Sequence, residues 1–273
     1  MYVDSHCHLS FPELAARVTE IRAEMAAAGV DRALCICTTL EEFDTVHALA
    51  TTYDNFWCSA GVHPDSEAVR EPTVDALIEL AHRPKVVAIG ETGLDYYRLN
   101  GRSVADMAWQ RERFAVHIRA SIATGRPLVI HTRSASDDTL AVLEGEEGHR
   151  AGGVFHCFTE TRDVARAALE LGFSISFSGI LTFKSAHELR EVARMVPMDR
   201  CLIETDSPYL APVPFRGKVN SPAYVPWVAR QLAEIKEIDV AEVAAQTTAN
   251  FERLFLSREG LSNPSPEARN DFN

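Results

Sequence analysis

Apolar positions along this chain follow two periods that alternate from end to end. Short, nearly continuous apolar runs recur at residues 2–9, 31–39, 55–64, 85–91, 127–131, 153–156, 173–178 and 200–206, the pattern of strands buried on both faces. Between them the spacing is helical: Leu14, Val18, Ile21 and Met25 share one stripe over residues 12–28, with Gly29 as a stop. Helical spacing recurs over 40–51, 74–82, 104–124 (stopped by Gly125), 137–144, 162–171 and 185–195, and two segments, 224–235 and 240–256, close the chain. Residues 91–100 read as a polar loop.

Eight such strands alternating with helices predict an α/β fold with a parallel sheet. A single (β/α)8 TIM barrel, which takes roughly 250 residues, is the economical arrangement for 273 residues. A doubly wound sheet uses the same elements, because strand count does not show closure. The domain is expected over 1–260, followed by a disordered tail at 261–273, which is polar and proline-bearing.

Hydrophobic residues make up 46% and charged residues 24%, enough for a sizeable core. No apolar run approaches the roughly 18 residues that span a bilayer, and Asp4, His6 and His8 argue against a secretory signal. The six cysteines form no CxxC pair and mostly sit in strand-like runs, as reduced core residues of a cytoplasmic protein do. Net charge is 27 − 39 = −12, which counts against a protein that coats nucleic acid but not against an enzyme with a local basic mouth. A monomer with no membrane or protein partner is expected.

The chemistry lies at the strand ends. His6 and His8 are two apart on the first run, so both imidazoles face one side, an arrangement that suits a divalent ion. His63 ends the third run, Glu91 the fourth, His131 the fifth, His156 the sixth and Asp206 the eighth. In a barrel these ends surround one C-terminal mouth, where active sites lie. Four imidazoles and two carboxylates exceed the needs of one four-coordinate ion; two ions about 3.5–4 Å apart, bridged by a carboxylate, use them fully.

These residues sit in stretches that resemble the TatD family of metal-dependent hydrolases, amidohydrolase-like barrels known as deoxyribonucleases. YVDSHCHLS at 2–10, PLVIHTRSASDD at 127–138 and LIETDSPY at 202–209 carry the resemblance. GVHP at 61–64, GETGLDYYR at 90–98, HCF at 156–158, SFSGILTFK at 176–184 and PVPFRGKVNSPAYV at 212–225 also fit. The family usually has Asp or Asn where this chain has Ser10, a departure outside the ligand set.

The resemblance implies one ion on His6, His8, Glu91 and Asp206 and a second on Glu91, His131 and His156, with Glu91 bridging. Mg²⁺, Mn²⁺ and Zn²⁺ all suit such donors. Related barrels often bridge with a carboxylated lysine, but Lys85 lies at the wrong end of its strand. Asp206 is the expected general base, and His63 is expected to face the scissile phosphate as a donor. Arg133, Lys184, Arg216 and Lys218 are candidates for substrate phosphates. Asp4 and Glu204 are candidates to orient ligands, with buried ion pairing as the alternative. Tyr96, Tyr97 and Phe183 are candidates for base stacking, or for packing loop on barrel. His117 and His187 read as ordinary surface or packing residues.

The resemblance thus implies hydrolysis of DNA phosphodiesters at single-stranded ends, with 3'-5' polarity. Two other readings use the same residues: hydrolysis of a small amide, lactone or aminoacyl ester, and a metal-bound interaction module without catalysis.

Overall fold

In a computed structural model, described here for residues 1–257, eight strands and ten α-helices alternate along the chain. The expected boundary at residue 260 and the expected tail at 261–273 lie outside the described residues. The strands are β1 Tyr2–Cys7, β2 Val30–Cys35, β3 Phe56–Ala60, β4 Val86–Asp95, β5 Leu128–Arg133, β6 Gly153–Phe155, β7 Ser174–Phe177 and β8 Cys201–Ile203. The helices are α1 Pro12–Ala15, α2 Val18–Ala27, α3 Phe43–Thr52, α4 Val74–Ala81, α5 Ala108–Thr124, α6 Ser136–Gly145, α7 Arg162–Glu170, α8 His187–Met195, α9 Val225–Lys236 and α10 Val240–Phe251.

All neighbouring strands pair in parallel in the order β1 to β8. The seam between β8 and β1 is joined by a Cys7–Ser207 bridge, and the amides of His8 and Asp206 donate to the carbonyls of Ser207 and His6 at 2.8 and 3.0 Å. The sheet is therefore a nearly closed barrel, and the doubly wound alternative falls.

Val3, Leu34, Val87, Val129, Val154 and Leu202 come from six different strands yet form one buried cluster. Strands on opposite sides meet only inside a barrel, so this cluster is its packed interior. Phe251 and Phe255 join it from the C-terminal helical segment. A larger apolar layer packs sheet against helices. At roughly 1.5–3 kcal/mol for each large side chain buried, this packing stabilises the barrel that carries the mouth. All six cysteines are free, and five are buried. Among the described residues, no helix is long and apolar enough to cross a membrane.

Four expected element bounds need correction. The first helix is broken, because Arg17 (φ −117°, ψ 12°) leaves helical geometry between α1 and α2. The fourth strand does not end at Glu91: Thr92 to Asp95 continue β4 and pair with Ile130 to Arg133 of β5. Gly93 permits this, since a Cβ there (φ +127°) would sit 2.0 Å from the His131 carbonyl oxygen. Helix α5 starts at Ala108 after a short 3-10 turn, and β8 stops at Ile203, three residues before Asp206.

Candidate metal centre

The sequence places seven ligand-type side chains at strand ends, and the fold brings all seven to one mouth. His6, Glu91 and His131 lie on β1, β4 and β5, while His8, His63, His156 and Asp206 lie just past the ends of β1, β3, β6 and β8. Most of them, with Phe11, Arg98, Arg133 and Tyr209, line a cavity of about 760 Å³.

Glu91 is at its centre, 2% exposed, and presents one carboxylate oxygen to each of two donor groups. On one side, His6 Nε2 lies 3.4 Å and His8 Nε2 3.8 Å from Oε2. These imidazole nitrogens are 3.2 Å apart, and Asp206 Oδ1 lies 3.5 and 3.3 Å from them. On the other side, Oε1 lies 3.2 Å from His131 Nδ1, 2.8 Å from His156 Nε2 and 3.3 Å from His63 Nε2. Donors sharing one tetrahedral ion at 2.0–2.2 Å stand about 3.3–3.6 Å apart, so the first group has the spacing an ion requires.

The hydrogen bonds behind the rings identify which nitrogens are free to ligate. Asp95 Oδ2 lies 3.0 Å from His131 Nε2, and Glu204 Oε1 lies 3.2 Å from His156 Nδ1 while accepting the Cys157 amide at 2.8 Å. With those nitrogens protonated, lone pairs on His131 Nδ1 and His156 Nε2 face Glu91 oxygen at hydrogen-bond distance. Lone pairs do not face one another in a buried site without positive charge between them. Protons or metal ions supply it, and the mixed imidazole and carboxylate donors form groups able to hold a metal ion.

His63 differs. Its Nδ1 accepts the Asp65 amide at 3.0 Å, so in the neutral ring Nε2 carries the proton. That nitrogen faces Glu91 Oε1, and with Glu91 and His131 it also forms a group able to hold a metal ion.

Electrostatics follow the same layout. Burial alone would raise Glu91, but the imidazoles of His156, His63 and His6 overcome it and hold the carboxyl well below the usual range. Asp206 is likewise held low, against burial, by His8, His6 and His156. Burial depresses His63. His131 is raised despite burial, through Asp95 and Glu91.

The weaker candidates divide. Glu204 Oε1 lies against the His156 ring, 3.2 Å from Nδ1. Asp4 does not touch the His6 imidazole: its oxygens accept the Thr205 amide (2.9 Å), the Thr205 hydroxyl (2.5 Å) and the His6 amide (3.3 Å), holding the β8 end to β1. Burial pushes its carboxyl up to about 8. Arg133 lines the cavity with its guanidinium 3.6 Å from the Tyr97 ring centre. Lys184, Arg216 and Lys218 are exposed but do not line the cavity; Arg216 covers Phe183 at 3.6 Å. Tyr96 is buried, its hydroxyl donating to Asp138 at 2.8 Å. Lys85 sits before β4 and reaches the Asp54 carbonyl, so it cannot bridge ions. His187 is exposed, whereas His117 is fully buried.

Several site-forming residues have no signal in the sequence. Helix α5 carries Gln110, Arg113 and His117 at i, i+3 and i+7, one buried polar stripe. Gln110 accepts the Asp95 amide (2.9 Å) and donates to its carbonyl (3.1 Å). Arg113 donates to the carbonyls of His63 and Ser66 (both 2.8 Å) and pairs with Glu71. His117 Nε2 accepts the Val62 amide at 3.0 Å. The stripe thus holds the His63 turn and the end of β4.

The chain matches the family model described as TatD related DNase over residues 3–256. It is 48% identical over 257 residues to an uncharacterized metal-dependent hydrolase, YcfH, of Escherichia coli K12, covering 93% of this chain and 95% of that one. It is 35% identical over 258 residues to the 3'-5' ssDNA/RNA exonuclease TatD of Escherichia fergusonii, covering 92% and 98%. The crystal structure of the TatD homolog YJJV from Escherichia coli K12 superposes with a TM-score of 0.84 at 27% identity, covering 93% and 97%. On this match and the metal-ligating cluster at its mouth, the protein belongs to the TatD family of metal-dependent hydrolases.

Proposed function

We propose that the protein is a phosphodiesterase that cleaves nucleotides from single-stranded DNA ends in the 3'-5' direction, using two divalent ions. The observation that carries this reading is the division of Glu91: one oxygen faces His6 and His8, the other His131 and His156. A carboxylate shared in this way, with Asp206 completing the first group, suits the paired ions of enzymes that displace oxygen at phosphorus.

When bound, the ions polarise the phosphoryl group and make a water more acidic. His6, His8, Glu91 and Asp206 would hold the first, and Glu91, His131 and His156 the second. Asp206 accepts the proton as the water oxygen attacks phosphorus, and the leaving sugar oxygen takes a proton to become a hydroxyl as the P–O ester bond breaks. Its depressed basicity keeps it ionised and ready at neutral pH. His63 Nε2–H donates a hydrogen bond to a phosphate oxygen, and Arg133, with Arg98 beside it on the cavity wall, takes a neighbouring phosphate. Glu204 and Asp95 fix the rings of His156 and His131.

The name of the Escherichia fergusonii relative supports a single-stranded substrate and the polarity. The same ligands on a small amide, lactone or aminoacyl ester are the competing reading, but two arginines at the cavity favour an anionic substrate. Cytoplasmic residence fits such a substrate. The test compares end-labelled single-stranded DNA with a panel of esters, lactones and amides in Mg²⁺, Mn²⁺ and Zn²⁺. Metal-dependent DNA cleavage exceeding every panel member supports the reading; turnover of the panel with DNA untouched overturns it.

A further inference from the structure

We propose that Phe11 and Tyr209 form a base-stacking subsite on the β8/β1 side of the cavity, taking the nucleobase of the one nucleotide that flanks the scissile phosphate there. The inference rests on the phosphodiesterase reading, and its own observations concern the walls of the cavity rather than the ligands.

Both rings line the cavity. Tyr209 is 51% exposed, and its ring meets Phe11 edge-on with centroids 6.2 Å apart. Phe11 stacks on the His8 imidazole, with centroids 4.5 Å apart and planes 19° from parallel. The aromatic wall is therefore continuous with the first donor group.

Its backbone is built the same way twice. Phe11 follows His8 by three residues, and its amide donates to the His8 carbonyl at 3.1 Å; Tyr209 follows Asp206 by three, and its amide donates to the Asp206 carbonyl at 3.0 Å. Two adjacent strands thus each turn back immediately after a ligand-type residue and raise an aromatic ring beside it. The second turn is clamped from behind, because the buried Asn220 amide donates to the carbonyls of Thr205 (2.8 Å) and Tyr209 (2.6 Å). A ring presented on a fixed turn loses little freedom on binding, which is what a stacking platform needs.

The opposite side of the mouth has different chemistry. In an eight-strand barrel β4 and β5 stand half a turn from β8 and β1. There Arg98 and Arg133 line the cavity, with Arg133 over the Tyr97 ring and its charge helping to hold the Asp95 carboxyl low. One side therefore offers a flat apolar surface and the other offers guanidinium groups. A nucleotide chain laid across the mouth matches both, with a base on the first and a phosphate on the second. An aminoacyl or lactone substrate uses one side and leaves the other unmatched.

The test uses single-stranded oligonucleotides in which one abasic residue is moved through the positions around the scissile bond, with kcat/KM read for each. The wild type should lose about 5- to 150-fold at one flanking position and little elsewhere, the range for stacking a base on an aromatic residue. In Tyr209→Ala, where an exposed side chain is removed, the ratio of intact to abasic substrate should fall toward one; Phe11→Leu should lower it in part. A wild-type loss under about twofold at every position overturns the subsite, and so does an undiminished ratio in Tyr209→Ala. If the wild type leaves the intact oligonucleotide uncut in every metal, the phosphodiesterase reading itself falls and the subsite with it.

Discussion

Asp95 Oδ2 lies 3.0 Å from Nε2 of His131, the ring nitrogen opposite the one that faces Glu91. This pairing fixes both the rotation of the imidazole and the nitrogen left to ligate. Loss of such a partner typically weakens metal affinity by about 10–100-fold. Asp95→Asn should therefore weaken Mn²⁺ binding to that extent at the second group, while the first group, in which His6, His8 and Asp206 surround the other Glu91 oxygen, changes little. Calorimetric Mn²⁺ titration checks it; two unchanged affinities would show that Asp95 does not act through His131.

Arg113 holds the carbonyls of His63 and Ser66 from inside the fold. Lysine keeps the charge but has no fork to reach both. Arg113→Lys should lower kcat by up to roughly 100-fold, the scale of a 1 Å misplacement of a reacting group, with Mn²⁺ affinity retained. Equal losses of kcat and of metal affinity would mean that Arg113 supports the fold at large rather than His63.

The histidines at strand ends, with Glu91 and Asp206, could be read from the sequence because a barrel sends every strand end to one rim. Asp95 could not be, because Gly93 and the polar residues around it obscure the second half of β4. Gln110, Arg113 and His117 were hidden for another reason: a polar stripe on a helix normally faces water, and only tertiary packing shows that this one faces loops. Tyr96 is buried and hydrogen-bonded to Asp138, and Phe183 is covered by Arg216, whereas Phe11 and Tyr209 owe their position to turns that follow the ligands. Lys184, Arg216 and Lys218 belong to loops on the correct side of the barrel, but their side chains do not line the cavity.

Burial pushes His117 down to about 4 from its ordinary 6.5, since Nε2 must accept the Val62 amide to be satisfied. The folded state therefore resists protonation that the unfolded chain accepts. Its contribution to stability is complete above pH 6.5 and is lost as pH falls from 6.5 toward 4, by about 3 kcal/mol in all at 1.36 kcal/mol per unit. His117→Gln should start less stable at pH 7 but lose less between pH 7 and 4.5 than the wild type. Urea unfolding at the two pH values measures this, and parallel losses in the two proteins would rule out His117 as the group responsible.

Glu91 is the claim on which the others depend, and the most direct measurement is single-turnover cleavage of end-labelled single-stranded DNA by wild type and Glu91→Ala. Metal content is determined in the same samples. The account predicts a 3'-5' product ladder from the wild type in at least one of Mg²⁺, Mn²⁺ or Zn²⁺, its loss on chelation, and loss of both bound metal and cleavage in Glu91→Ala. Glu91→Ala protein that retained two ions and cleaved at the wild-type rate would contradict it.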